Sequence, residues 1–179
     1  MRTQIEPALG ARLDEVEFLL QRSSKSLSNV LIMGENKAVR LVIAFSFHSR
    51  GRTSRLPFLA TDCKNFLGEL KEKLIDGLDG KDRNAGHVSP VTWGVSGTTF
   101  LDEADEISVS EQKLFLEFVK ERERQKFLSV HSPIGRLVIG SGKNLEDLCR
   151  WGKFLPELYD CLNKVKVNLA STPTLRLVE

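Results

Sequence analysis

Residues 29–48 read NVLIMGENKAVRLVIAFSFH, which is an apolar run, a short polar loop and a second apolar stretch. The first run, residues 30–33, is short, apolar and closed by Gly34, so it predicts a buried strand. The second stretch, residues 38–47, is apolar nearly all round and predicts a buried helix. A strand, a tight loop and a helix in this order are typical of one unit of an α/β fold.

The same alternation continues on both sides of this stretch. Val16 and Leu20 lie at helical spacing before the first strand, and Ser108 with Glu111 forms a capping box that opens a later helix. Further strands are predicted at residues 58–61, 99–101, 137–139 and 165–169, and further helices at residues 65–75 and 155–162. Five strands with intervening helices predict an α/β fold, a three-layer α/β/α sandwich with a five-stranded parallel sheet.

Length and composition indicate an ordinary globular domain. The 179 residues suit a single domain spanning residues 1–179, and the net charge of +2 gives no argument for nucleic acid or a membrane. The sequence has no apolar run long enough to span a bilayer and no secretory signal. Its cysteines and histidines are scattered without metal-ligand spacing, so a cytoplasmic protein without a metal site is expected.

An apolar strand that ends in Asp102-Glu103 marks the candidate site, since ligands of such folds bind beyond the carboxyl ends of the strands. In a P-loop NTPase the first acid would hold Mg²⁺ and the second would orient the attacking water. A strand that ends in a solvated acidic turn has the same pattern, so these residues alone leave both interpretations open.

Four stretches in order resemble the AAA+ domain of bacterial enhancer-binding activators of sigma-54 RNA polymerase. Residues 29–48 resemble its first strand, phosphate loop and helix, and PFLATDC (57–63) resembles its PFxxxNC strand. GTTFLDEADEISVSEQ (97–112) resembles GTLFLDEI and the helix after it. RLVIGSGKNL (136–145) and GKFLPELYDCLNKVKVNL (152–169) resemble RVIAATNxDL and GRFREDLYYRLN. The resemblance covers residues 7–170 and implies a P-loop NTPase (AAA+) core.

The family's phosphate loop, GxxxxGK, falls on GENKAVR at residues 34–40. The resemblance therefore assigns Gly34, Lys37 and Arg40 to a vestigial nucleotide site. The glycine before the family lysine has become Val39, whose branched side chain resists the loop conformation, and the lysine has become Arg40, a wide planar fork. We expect ATP binding to be lost.

Other family positions are replaced as well. Asp62 stands where the family has the asparagine that holds the catalytic glutamate, and Gly142 stands at the sensor asparagine. Leu155 and Cys161 stand at two arginines that reach a neighbouring subunit's nucleotide. Residues 76–97, rich in Gly, Asp, Asn, Ser and Pro, contain no GAFTGA motif, and no helical lid or DNA-reading domain is expected after residue 169.

These replacements favour a non-catalytic AAA+ domain that regulates transcription through contacts with related activators or by self-association. On this hypothesis no cofactor, direct DNA contact or membrane contact is expected, and Asp102 and Glu103 are retained for structure. One alternative is a weak or partner-completed ATPase that binds ATP and Mg²⁺, with Asp102 as the metal ligand. A second is a module that binds phosphate or a signalling nucleotide through Lys37, Arg40 and the loop arginines 50, 52 and 55.

Overall fold

The computed structural model describes residues 6–23, 25–78, 97–128 and 135–169. The helices are α1 (Glu6–Ser23), α2 (Lys37–Ser49), α3 (Cys63–Leu78), α4 (Val109–Leu128), α5 (Leu145–Arg150) and α6 (Pro156–Leu162). The strands are β1 (Val30–Met33), β2 (Phe58–Asp62), β3 (Thr98–Asp102), β4 (Arg136–Ser141) and β5 (Val165–Asn168), and a 3-10 turn (Ala104–Glu106) follows β3.

The strands form one five-stranded sheet in the order β2-β3-β4-β1-β5, and all of its pairings are parallel. The predicted five-stranded parallel sheet is therefore confirmed. Asp62 lies beside Asp102, and Met33 lies beside Ser141. The carboxyl ends of β1 to β4 thus meet at one edge of the sheet, where the sequence placed the candidate site.

Helices cover both faces of the sheet, which confirms the three-layer sandwich. In β1, Leu31 and Met33 join the core beneath α3, α4, α5 and α6. Val30 and Ile32 join the second core, beneath α1 and α2. This alternation follows from the two-residue period of a strand, and it explains why β1 is apolar at every position.

The element boundaries depart from the sequence prediction in a few places. Helix α3 continues through residue 78, beyond the predicted end at residue 75, and residues 79–96 lie outside the described residues. Helix α5 and the 3-10 turn were not predicted. Leu155 is the N-cap of α6 rather than its first helical residue, because Pro156 begins the helix. No helix in the described ranges is long and apolar enough to cross a membrane.

The prediction that α2 is buried on all sides is wrong. Ile43, Ala44 and Phe47 pack on the sheet, as expected. Val42 and Phe45, however, are 64% and 52% exposed. The strands beneath α2 cover only its inner face, so the apolar residues of its outer face remain at the surface.

Candidate functional site

A buried ion pair occupies the carboxyl edge of the sheet. Arg40, on the first turns of α2, donates from Nε to Oδ1 of Asp102 at 2.7 Å and from Nη2 to Oδ2 at 3.0 Å. Both side chains are only 3% exposed. This is the two-point geometry in which a guanidinium binds a carboxylate most strongly, and it engages both oxygens of the acid that ends β3.

The remaining arm of the guanidinium binds the loop after β1. Nη1 of Arg40 donates to the carbonyl oxygen of Gly34 and, at 3.2 Å, to that of Glu35. The loop is also tied to β4, because the Gly34 N–H donates to the Ser141 carbonyl at 3.0 Å. Arg40 therefore links the loop, α2 and the end of β3 in one hydrogen-bonded unit.

The segment aligned with a phosphate loop is largely helical. Helix α2 begins at Lys37, and the side chain of Asn36 caps it by accepting a hydrogen bond from the Val39 N–H at 3.2 Å. The Arg40 N–H donates to the Asn36 carbonyl at 3.1 Å, as a helical residue does. The N–H groups of Val39 and Arg40 are thus used within the helix.

Lys37 and Glu103 form a second ion pair, which is exposed. Their Nζ and Oε1 atoms are 2.7 Å apart, and the hydrogen bond that Lys37 donates to Glu103 raises the pKa of Lys37. Glu103 has φ +61°, the only left-handed non-glycine residue in the described ranges. A left-handed turn is uncommon for such a residue, and here it separates β3 from the 3-10 turn.

Asp105 organises the end of β4, a role that the sequence reasoning missed. Its Oδ1 accepts hydrogen bonds from the Gly142 N–H at 2.8 Å and from the Ser141 hydroxyl at 3.1 Å. Its Oδ2 lies 3.2 Å from Nζ of Lys143. Burial raises the pKa of Asp105, but the bonds from Gly142, Lys143 and Ser141 outweigh it, so the pKa lies below its ordinary value.

Asp62 is engaged in capping α3. Its carboxylate accepts from the Asn65 N–H at 2.8 Å and from the Asn65 side-chain amide at 2.6 Å. The spacing D-x-x-N before a helical pattern was the signal that could have predicted this cap.

Leu155 and Cys161 pack inward, where the family has arginines. Both side chains contact the core beneath α3 and α4. The Leu155 N–H donates to the Gln112 side chain at 2.8 Å, and the Cys161 carbonyl accepts from Asn29 at 2.9 Å. Their contacts are structural, and neither side chain carries a charge.

The loop arginines do not join the Arg40 site. Arg50 pairs with Glu17 of α1 at 2.5 Å. Arg52 and Arg55 are exposed, and within the described ranges they make no hydrogen bond or ion pair. The described residues contain no cluster of three or more His, Cys, Asp or Glu that could hold a metal ion.

Gly140 provides the space that Asp102 occupies, so replacing it by alanine should destabilise the protein. A Cβ at position 140 would lie 2.1 Å from Oδ1 of Asp102. We expect Gly140→Ala to lower the free energy of unfolding by about 1–3 kcal/mol, measured by urea denaturation. Gly142→Ala is the control: its Cβ would meet nothing closer than 3.5 Å, so less than about 0.5 kcal/mol is expected. Equal losses in the two variants would contradict this account.

The strand order, and the link through Arg40 between the β1 loop and the acidic end of β3, define an AAA+ type of P-loop NTPase fold. The model of the Sigma-54 interaction domain matches residues 9–168. The chain belongs to this family.

Curated relatives are bacterial transcriptional regulators. The transcriptional regulatory protein XylR of Pseudomonas putida is 28% identical over 163 residues, covering 88% of this chain and 28% of XylR. The Nif-specific regulatory protein of Azospirillum lipoferum is 29% identical over 172 residues, covering 90% of this chain and 26% of that protein. This chain therefore spans less than a third of these relatives. It is a sigma-54-activator-like AAA+ domain of the kind found in transcriptional regulators.

Solved structures agree on the fold. NtrX from Brucella abortus in complex with ATP has a TM-score of 0.66 at 18% identity, covering 88% of this chain and 36% of NtrX. The P-loop NTPase domain of a sigma-54 transport activator from E. coli has a TM-score of 0.58 at 16% identity, covering 89% of this chain and 96% of that domain.

Proposed function

We propose that this domain is non-catalytic and regulates transcription through contacts with related AAA+ activators or with copies of itself. The observation that carries the proposal is the buried, two-point ion pair between Arg40 and Asp102. This pair supports the proposal because the Arg40 guanidinium occupies the space at Asp102 that a metal cation and the phosphates of a nucleotide would need.

Mg²⁺ does not fit the site as it is built. The ion requires oxygen ligands in near-octahedral geometry at about 2.0–2.1 Å. Both Asp102 oxygens accept hydrogen bonds from Arg40, within a pair that is 3% exposed on each side. Binding of Mg²⁺ at Asp102 would require displacement of the Arg40 guanidinium. It would also bring the positive charges of Mg²⁺ and Arg40 together.

The site also lacks the loop of backbone N–H groups that usually binds a triphosphate. A phosphate loop binds through backbone N–H groups that point into the loop. Here the N–H groups of Val39 and Arg40 bind Asn36, and α2 begins at Lys37. The uncharged Leu155 and Cys161 support the same proposal, because an arginine finger contributes strongly to phosphoryl transfer.

Titration calorimetry with ATP, with and without Mg²⁺, tests the non-catalytic role. We expect no binding heat at millimolar nucleotide, because Arg40 fills the site. A variant carrying Val39→Gly and Arg40→Lys, which restores the second glycine and the lysine of GxxxxGK, is expected to bind more tightly than the wild type. Micromolar binding by the wild type that Asp102→Ala abolishes would overturn the proposal and favour the ATPase alternative.

The contact role has its own test. Size-exclusion chromatography with light scattering measures self-association, and co-elution with a full-length sigma-54 activator measures association with a relative. We expect at least one of these complexes. A monomer that co-elutes with no related activator would contradict the contact role.

A further inference from the structure

The outer face of α2 contains an apolar groove. The groove has a volume of about 330 Å³ and is lined by Leu41, Val42, Phe45, Ser46 and Phe58. It lies on the opposite side of α2 from Ile43, Ala44 and Phe47, which form part of the core. The groove is therefore additional to the packing that holds the helix on the sheet.

The lining of the groove is held in place before any partner arrives. Phe45 packs edge-on against Phe58, with ring centroids 5.4 Å apart, and is tilted against His48 at 5.7 Å. Leu56, 36% exposed, precedes Phe58 by two residues in sequence. Contiguous apolar surface of this kind on a domain is typical of an interaction site.

Positive charge lies on the loop that leads from α2 into this lining. Arg52 and Arg55 are exposed, and they make no hydrogen bond or ion pair within the described ranges. None of the residues that line the groove is acidic. Arg55 precedes the lining residue Phe58 by three positions in sequence. Apolar surface with arginine on an adjoining loop matches the composition of protein interfaces, where surrounding charges select and steer the partner.

We propose that this groove binds an amphipathic helix of a partner protein, with its apolar stripe in the groove and acidic residues opposite Arg52 and Arg55. An apolar groove that receives helix side chains at positions three and four residues apart is an established mode of recognition. The inference rests on the proposed contact role and assigns it a surface.

The probe is a fluorescent helical peptide of about 18 residues with a leucine stripe flanked by glutamates. The control peptide has lysines in place of the glutamates. Full-length protein is titrated without nucleotide and read by fluorescence anisotropy. We expect the glutamate peptide to bind about tenfold more tightly than the lysine peptide.

Variants of the groove and of the loop arginines test where the glutamate peptide binds. Val42→Ser removes an exposed groove residue and is expected to weaken binding of the glutamate peptide about tenfold while the melting temperature stays the same. Val109→Ser, at a valine that is 49% exposed on α4, is the matched control and should leave binding unchanged. Arg52→Glu with Arg55→Glu should reverse the peptide preference, whereas Lys64→Glu with Lys113→Glu should not.

Equal binding of the two peptides, or binding that Val42→Ser leaves intact, would overturn the proposal. A wild type that elutes as a dimer and becomes a monomer in Val42→Ser would assign the groove to a second copy of the chain, which would also overturn it. Since nucleotide is absent throughout, failure here is distinguishable from failure of the non-catalytic proposal.

Discussion

Replacing Arg40 by methionine is expected to lower the free energy of unfolding by about 3–5 kcal/mol. The change leaves the carboxylate of Asp102, which is 2% exposed, without the guanidinium that binds both of its oxygens. It also removes the donor to the carbonyls of Gly34 and Glu35. A buried charge without a partner is among the most costly defects that a single substitution can create. Urea denaturation measures the loss.

A double-mutant cycle separates the pair from the packing around it. Asparagine has nearly the same shape as aspartate, so Asp102→Asn removes the charge with little change of packing. The variant that carries both Arg40→Met and Asp102→Asn should be more stable than Arg40→Met alone, because no buried charge remains. A coupling of about 2 kcal/mol or more between the two positions is expected.

The neighbouring pair of Lys37 and Glu103 is the control. Its N–O distance of 2.7 Å equals that of the Arg40–Asp102 pair, but its side chains are 63% and 41% exposed against 3% and 3%. Lys37→Met should therefore lower the free energy of unfolding by less than about 1 kcal/mol. Similar losses from Arg40→Met and Lys37→Met would show that Arg40 does not act as a buried partner of Asp102.

The strands could be predicted because the residues of each strand, taken alone, indicate that the strand is buried. Each apolar run is short and bounded by polar or glycine residues, and a strand buried on both faces needs no alternation to be recognised. The resemblance located Arg40 and Asp102 separately, as a replaced lysine and a retained acid. Their pairing depends on how α2 lies over the sheet, and 62 residues separate them in sequence, so no local pattern could indicate it.

The outer face of α2 could not be predicted for a related reason. Leu41, Val42 and Phe45 have the same apolar character as Ile43 and Phe47, and composition alone does not say which face meets the sheet. Asp105 was missed because its partners, Ser141, Gly142 and Lys143, come from a different strand end. Tertiary contacts, rather than local propensity, decide both cases.

Arg136 is a second buried cation, and its side chain is fully buried at the first position of β4. Its guanidinium donates to the carbonyl of Phe47 at 2.8 Å and to those of Ser23, at 2.6 Å, and Ser26. Burial lowers the pKa of Arg136 to about 10, so the group remains charged at neutral pH. The carbonyls of Ser23 and Phe47 lie in the last turns of α1 and α2, where the helix dipole favours a cation.

Arg136→Met is therefore expected to lower the free energy of unfolding by at least about 3 kcal/mol, since several carbonyls that accept from a charged donor would lose it at once. Arg150→Met is the matched control, because the Arg150 guanidinium also donates to more than one oxygen, in ion pairs with Glu146 and Asp147, but its side chain is 66% exposed. That change should cost less than about 1 kcal/mol. Arg136→Lys keeps the charge with fewer donors and should fall between the two. If urea denaturation gives the same loss for Arg136→Met and Arg150→Met, Arg136 does not hold the ends of α1 and α2 against the sheet.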